Sequence, residues 1–362
     1  MARPRPPVLQ VAATAAAVLA GLAACRGAAA GGAGRHLEQV ATYAVTAGKV
    51  AFAADGDRWY ADQYPDTVIY EGDVEVGRLA LGAMAGDDQL FALTAGHGVA
   101  VGARIFDAQG RVAFEAFGYA QRYGRFAGVD AQAISADGDL VLLQAQNHPS
   151  ACLCDKGVPY HDDGAVILVD RHGEAEPTSR ILIDGPHRDR YRLAIGAERL
   201  VVADGAAAQL WPRDGHGDPT SATLGVAPTS LAWTPDGARL IVASEDTIVI
   251  HAGDALAEEA RWDLDGELKA LAVRPDGAAL AAVTFDRDLA LAGGRMAAEA
   301  PGLMGAASGC ELVIYDLAGK ALARTPLPRA PYAVAWSPDG RELLVSMPDA
   351  TSSQVARYRL GR

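Results

Sequence analysis

The chain has 362 residues, 50% of them hydrophobic, and carries 45 acidic against 32 basic side chains, a formal net charge of −13. That balance opposes contact with a polyphosphate backbone. No long basic patch or RNA-binding signature offsets it, so nucleic acid is excluded as an expected partner.

The N-terminus carries a short positive head, Arg3 and Arg5, followed by an uncharged run over 8–24. The run is short for a membrane span, is interrupted by Gln10 and Gly21, and suits the apolar part of a secretory signal. It ends in Leu22-Ala23-Ala24-Cys25. This resembles the lipobox of bacterial lipoproteins, in which a Leu and two small residues precede a cysteine that is acylated and becomes the first residue. The resemblance implies a signal peptide over 1–24, lipidation at Cys25 and membrane lipid as a partner through that residue. It places the protein in the periplasm. Arg26, where an Asp is absent, favours the inner leaflet of the outer membrane. Ordinary signal cleavage with Cys25 incidental is the alternative. Residues 25–35, mostly Gly and Ala, read as a flexible tether.

From residue 36 onward one grammar repeats: a short apolar strand, a tight turn, a second apolar strand. The copies are "YAVTAGKVAFAAD" from Tyr43, "GAMAGDDQLFALT" from Gly82, "QAISADGDLVLLQ" from Gln132 and "LAIGAERLVVAD" from Leu193. Three sharper copies follow, "LAWTPDGARLIVAS" from Leu231, "LAVRPDGAALAAVT" from Leu271 and "VAWSPDGRELLVSM" from Val334. Pro presets φ, Asp tolerates the tight turn and Gly takes positive φ, so each copy is a β-hairpin. The turns fall near residues 48, 87, 137, 197, 236, 276 and 339. Several intervals match the usual length of a four-stranded propeller blade, and seven turns predict seven blades. The fold class is therefore all-β, a seven-bladed β-propeller over 36–362. Its Ala-rich inner strands crowd the axis, and Trp233 and Trp336 pack between blades. The C-terminal "QVARYRLGR" supplies only a third strand to the last blade, so the N-terminal "RHLEQVA" is expected to add the fourth and close the ring.

The "WSPDG" hairpins resemble the repeats of the periplasmic Tol-system propeller and of the propeller domains of prolyl oligopeptidase-type peptidases. Blade length is also similar to WD-repeat and surface-layer propellers. The resemblance is specific in blades five, six and seven and implies fold, not activity. The peptidases need a separate hydrolase domain, for which the chain has no room, and the sequence lacks a G-x-S-x-G nucleophile elbow. The α/β domain that precedes the Tol-system propeller is missing too.

With strands lettered a to d from the axis outward, b–c and d–a loops share one face. "HPSACLCDKGVPYHDD", from His148, is a b–c insertion of blade three, and a second such insertion in blade six ends at Cys310. Cys152, Cys154 and Cys310 thus map to one face, and three readings stay open. Cys152 or Cys154 forms a disulfide with Cys310. Alternatively, Cys152, Cys154, His148 and His161 hold Zn²⁺ or copper, with Met296, Met304 and Cys310 as further soft ligands. In the third, the thiols are unpaired in a variable loop. The same face is expected to carry Arg122, Arg125, His187, Arg188 and Arg190, with Asp57, His97, Asp204, Glu245, Asp246, Asp286 and Asp349 around them. These form a rim for an anionic or metal-bound ligand over the channel, or are solvated charges. With no catalytic motif present, the expected function is a non-enzymatic binding or assembly platform for an envelope protein or small ligand. The alternatives are a lactonase- or lyase-type enzyme using His97 or His148 with the rim acids, and a periplasmic metal-binding or redox protein using the cysteine loop.

Overall fold

The computed structural model describes residues 36–361 except 46, 64–65, 81–89, 93–97, 102–103, 108, 117, 120–121, 124–127, 147–162, 173–175, 187–190, 287–308 and 348–353. Within them, strands form seven antiparallel four-stranded sheets. β1 (Leu37–Tyr43) comes first in the chain but joins the last sheet. Blade one is β2 (Val50–Phe52), β3 (Arg58–Gln63), β4 (Asp66–Glu71) and β5 (Val74–Ala80). Blade two is β6 (Leu90–Ala92), β7 (Val99–Val101), β8 (Arg104–Phe106) and β9 (Val112–Glu115). Blade three is β10 (Gly128–Ile134), β11 (Leu140–Gln146), β12 (Asp163–Asp170) and β13 (Thr178–Pro186). Blade four is β14 (Tyr191–Ile195), β15 (Arg199–Asp204), β16 (Ala207–Pro212) and β17 (Thr220–Thr223). Blade five is β18 (Ser230–Trp233), β19 (Arg239–Ala243), β20 (Thr247–Ala252) and β21 (Glu258–Asp263). Blade six is β22 (Glu267–Val273), β23 (Ala279–Phe285), β24 (Cys310–Asp316) and β25 (Ala321–Leu327). Blade seven is β26 (Ala333–Trp336), β27 (Glu342–Met347), β28 (Gln354–Leu360) and then β1. First strands touch first strands, β14 with β18, β18 with β22, β22 with β26 and β26 with β2, so they line the axis.

Composition follows position in the blade. The two middle strands are covered on both faces by neighbouring blades and read as unbroken apolar runs. Leu240 to Ala243 and Ile248 to Val249 are fully buried. The outer strand β21 has solvent on one side and alternates exposed and half-buried residues. Trp233 and Trp336 pack between blades, as expected. Trp233 lies over Gly196 of blade four, and the Trp336 indole N–H donates to the Ala272 carbonyl of blade six at 3.1 Å.

The ring closes through β1, which pairs antiparallel with β28, Leu37 opposite Leu360 and Tyr43 opposite Val355. At the seam, the Gly361 N–H donates to the His36 carbonyl at 2.8 Å.

Blades one and two correct the sequence frame. Val50–Phe52 and Leu90–Ala92, read as second strands, are the innermost strands of their blades. The blade-one turn is Ala53 to Arg58, not the region of residue 48: Ala53 N–H donates to the Arg58 carbonyl at 2.9 Å, and Gly56 N–H to the Ala53 carbonyl at 3.0 Å. The reason is chemical. Ala54-Asp55-Gly56 is the same turn as Pro-Asp-Gly without its proline, whereas Gly48 sits on the approach from the closing strand. Asp57 therefore belongs to an a–b turn, opposite the face assigned to it.

Gly196 is a point where packing leaves no slack. A Cβ there would lie 2.8 Å from the Trp233 ring, too close for the indole and the turn to keep their positions. Gly196→Ala is expected to destabilise the propeller by about 1–3 kcal/mol, the range for overpacking a tight site. A denaturant midpoint measured with unchanged slope checks this.

Candidate functional site

The face predicted to bind ligand carries the described members of the rim at separate blades. Asp204 ends β15, where it faces Ala207 and Tyr191. Asp246 forms the b–c turn of blade five, its carboxylate accepting the hydroxyls of Thr247 at 3.0 Å and Ser244 at 3.2 Å. In the same turn the Glu245 carbonyl accepts the Leu268 N–H at 2.6 Å. The Asp286 N–H donates to the Gly309 carbonyl at 3.0 Å, which ties the two ends of the blade-six insertion together. The exposed Arg122 lies with its guanidinium 4.3 Å from the Tyr119 ring. Among the described residues none of these acids belongs to a group of three ligand-type side chains close enough to hold a metal ion. Cys310 starts β24 and is buried in the core between blades six and seven, opposite Phe285 and Leu327. Cys25, Arg125, His148, Cys152, Cys154, His161, His187, Arg188, Arg190 and Asp349 lie outside the described residues. So does His97, which in sequence follows the innermost strand β6 rather than a second strand.

On the opposite face Asp137, Asp139 and His172 bring three ligand-type atoms within 4.8 Å of one another. Their hydrogen bonds argue against a cation. The Asp137 carboxylate already accepts the Ser135 hydroxyl, the Asp139 N–H at 3.0 Å and the Arg213 guanidinium at 2.5 Å. Arg213 comes from blade four and also donates to the Ala197 carbonyl at 3.1 Å. The cluster is an ion-pair joint between blades three and four, and it does not fit a metal.

The a–b turns of that face share one circuit. In blade five the Thr234 hydroxyl donates to Asp236 at 2.6 Å and accepts the Arg239 N–H at 2.9 Å, while Asp236 accepts the Ala238 N–H at 3.0 Å. In blade seven Ser337 and Asp339 repeat this at 2.6 Å, 2.9 Å and 3.1 Å. Blade six replaces the hydroxyl by Arg274, which donates to Asp276 at 2.7 Å. Consequently Thr234 holds the Asp236 carboxyl below the usual range, Arg274 does so for Asp276 and Ser337 for Asp339.

A cleft of about 830 Å³ opens where this ring of turns meets the chain ends. One wall is the blade-one turn with Asp55 and Asp57. The other is blade seven, with Asp339, Arg341, Arg357 and Arg359. Blade seven has no c–d turn, because its fourth strand comes from the other end of the chain, so Leu360 and Gly361 line the opening instead. The floor is Glu342, 8% exposed. It accepts Arg357 Nε at 2.5 Å and Arg359 through Nε at 2.9 Å and Nη2 at 2.6 Å. Sequence reasoning missed this group. Its signal was the Arg-x-Arg spacing of "ARYRL", which puts both guanidiniums on one face of a strand, and the register that sets Glu342 opposite Arg359.

The architecture is that of a seven-bladed β-propeller. It is similar to the crystal structure of the β-propeller domain of Myceliophteria thermophila Cps50 (Swd1), with a TM-score of 0.59 over 90% of this chain and 99% of that one, at 14% identity. At that identity the likeness shows the fold alone. No family model matches the chain, and no curated protein matches it in sequence.

Two outcomes follow from these contacts. Glu342→Gln leaves two guanidiniums facing a neutral amide. Breaking a fully buried ion pair costs about 3–5 kcal/mol, and the half-exposed Arg359 reduces this to about 2 kcal/mol, read from urea unfolding. The turn carboxylates Asp236, Asp276 and Asp339 titrate lower in the folded than in the unfolded chain. Their stabilisation is therefore complete above pH ~4 and is lost as pH falls through the folded values, since the unfolded state then binds more protons. The melting temperature should fall as pH is lowered from 5 to 2, and less steeply in Asp236→Asn.

Proposed function

We propose that this chain is a lipid-anchored cell-envelope β-propeller that acts as a non-enzymatic platform for binding or assembling another protein. The observation that carries the platform reading is the closed ring itself: seven sheets locked blade to blade, with the described rim acids Asp204, Asp246 and Asp286 on three separate blades. A stiff scaffold of this kind holds loop surfaces in fixed relation, which is what recognition of an extended surface requires. The anchor reading rests on Leu22-Ala23-Ala24-Cys25 behind an uncharged run.

The segment 25–35 would join an anchor at Cys25 to the propeller at His36, whose carbonyl accepts the Gly361 N–H at the seam; fully extended it reaches at most about 40 Å.

The anchor is tested by expressing the chain and Cys25→Ser in a bacterium with two membranes and following palmitate label and fractionation. The unaltered chain should be labelled and membrane-bound, and the variant unlabelled and released. An unlabelled chain, or a variant that stays in the membrane, overturns the anchor. The platform reading falls if the purified protein turns over a lactone substrate.

A further inference from the structure

We propose that His251 is a proton-operated latch between blades four and five, an imidazolium that donates from both ring nitrogens to backbone carbonyls and releases one of them when it loses a proton. The residue is 1% exposed. Its Nδ1 lies 2.7 Å from the Leu256 carbonyl oxygen, in the c–d turn of blade five. Its Nε2 lies 3.2 Å from the Leu224 carbonyl oxygen, just past β17 of blade four. A carbonyl oxygen only accepts, so both nitrogens must carry hydrogen to make these bonds, and only the charged ring does. Leu224 and Leu256 are buried too, and among the described residues neither carbonyl takes another hydrogen bond. A neutral ring would leave one buried carbonyl facing a lone pair, at the cost of an unmade bond. It would keep the shorter contact to Leu256 and drop Leu224, so what is released is the tie across the blade interface.

The turn is built around this ring. Leu256 has φ of +52° and is the one residue other than glycine with positive φ among those described, a strained conformation for a branched side chain. It is held there from three sides. Its N–H donates to the Ala252 carbonyl at 2.9 Å, its side chain lies in the core shared by blades four and five, and its carbonyl meets His251. At the same corner Gly225, next to Leu224, packs under the Arg261 guanidinium of β21. Charged groups near the ring favour the proton. Glu258 stands opposite His251 on β21. Hydrogen bonds from Arg261 hold the Glu258 carboxyl below the usual range, and His251 acts in the same direction. Asp254, in the turn, accepts the Ala255 N–H at 2.7 Å. On β19 the residue opposite is Leu240, and its neighbour Arg239 is bonded to Glu259 at 2.6 Å. From blade four the core presents Ala208, Leu210 and Leu224, which carry no charge.

The latch is independent of lipidation and of the cysteine insertions. The test uses the full chain labelled with 15N at histidine. His251 alone is buried among the described histidines, so its ring N–H signals are the ones that exchange slowly with solvent. At pH 6 both of its nitrogens should give protonated shifts, and one unprotonated nitrogen overturns the proposal even if no variant folds. Urea unfolding between pH 6 and 8, above the range where the turn carboxylates titrate, gives the second readout. An unfolded histidine gives up its proton near pH ~6.5. The latched chain holds that proton, so the folded state binds more protons in this window and stability falls as pH rises. The folding equilibrium constant should drop about fivefold from pH 6 to pH 8, within the tenfold per pH unit that one proton allows. His251→Gln should abolish that drop. His172→Gln, which removes an exposed histidine beside Asp139 and Asp170, should leave it in place. A drop of the same size in His251→Gln as in the unaltered chain overturns the latch.

Discussion

Everything in this fold depends on one ladder, β1 against β28. A propeller blade buries its middle strands only because another blade lies on each side, so an open array would leave two apolar faces in water. The seam removes both. Tyr43 of β1 and Leu344 and Val355 of blade seven share a core with Phe52, Trp59 and Val68 of blade one. On the other side, Leu37 and Tyr358 share a core with Ala281, Leu312 and Ile314 of blade six. The closing strand thus serves two blade interfaces as well as its own hydrogen bonds. Bringing residues from opposite ends of the chain together carries an entropic cost, but that cost grows only logarithmically with loop length, while the apolar area covered at two interfaces scales with the strand.

The turn ring is the second tier of the same device. Gly56 lies against Pro338, Gly340 against Pro275, Gly277 against Pro235 and Gly237 against Ala197, so the a–b turns of blades one, seven, six and five each rest on the turn of the preceding blade. Gly340 has φ of +67°, a conformation that a side chain would strain. With one face stapled by turns, the opposite face is free to vary. Both long insertions spring from intact ladder pairs, Gln146 opposite Gly164 and Phe285 opposite Cys310. Their length therefore adds nothing to the strain on the sheets.

The same physics explains what could be read from the sequence. Blades three to seven announced themselves because their turns carry Asp-Gly with a hydroxyl or arginine two residues before the Asp, or a Gly at the bend, between unbroken apolar runs. The closing strand was legible by elimination, since the last hairpin lacked a partner for its third strand. Blades one and two were misframed because Gly48 and Gly86-Asp87 imitate a turn, while Ala54-Asp55-Gly56 lacks the proline that made the others stand out. The cleft was illegible for a different reason. It is assembled from a turn and a strand nearly a full chain apart, and no local pattern signals that the blade-one turn and the end of β28 line one recess.

Charge at the seam also bears on how the closing ladder finds its register. Arg357 and Arg359 share one face of β28, and Tyr358 between them points to the opposite one, into the core with blade six. A slip of one residue would drive both guanidiniums into that core and bring Tyr358 out. Glu342 opposes such a slip by accepting both arginines only in the observed pairing. A buried ion pair adds little net stability compared with apolar side chains of the same volume, so its value lies in rejecting alternatives. Arg359 stands directly opposite Glu342 in that register and Arg357 reaches the same carboxylate from the diagonal position, so both guanidiniums select the one pairing.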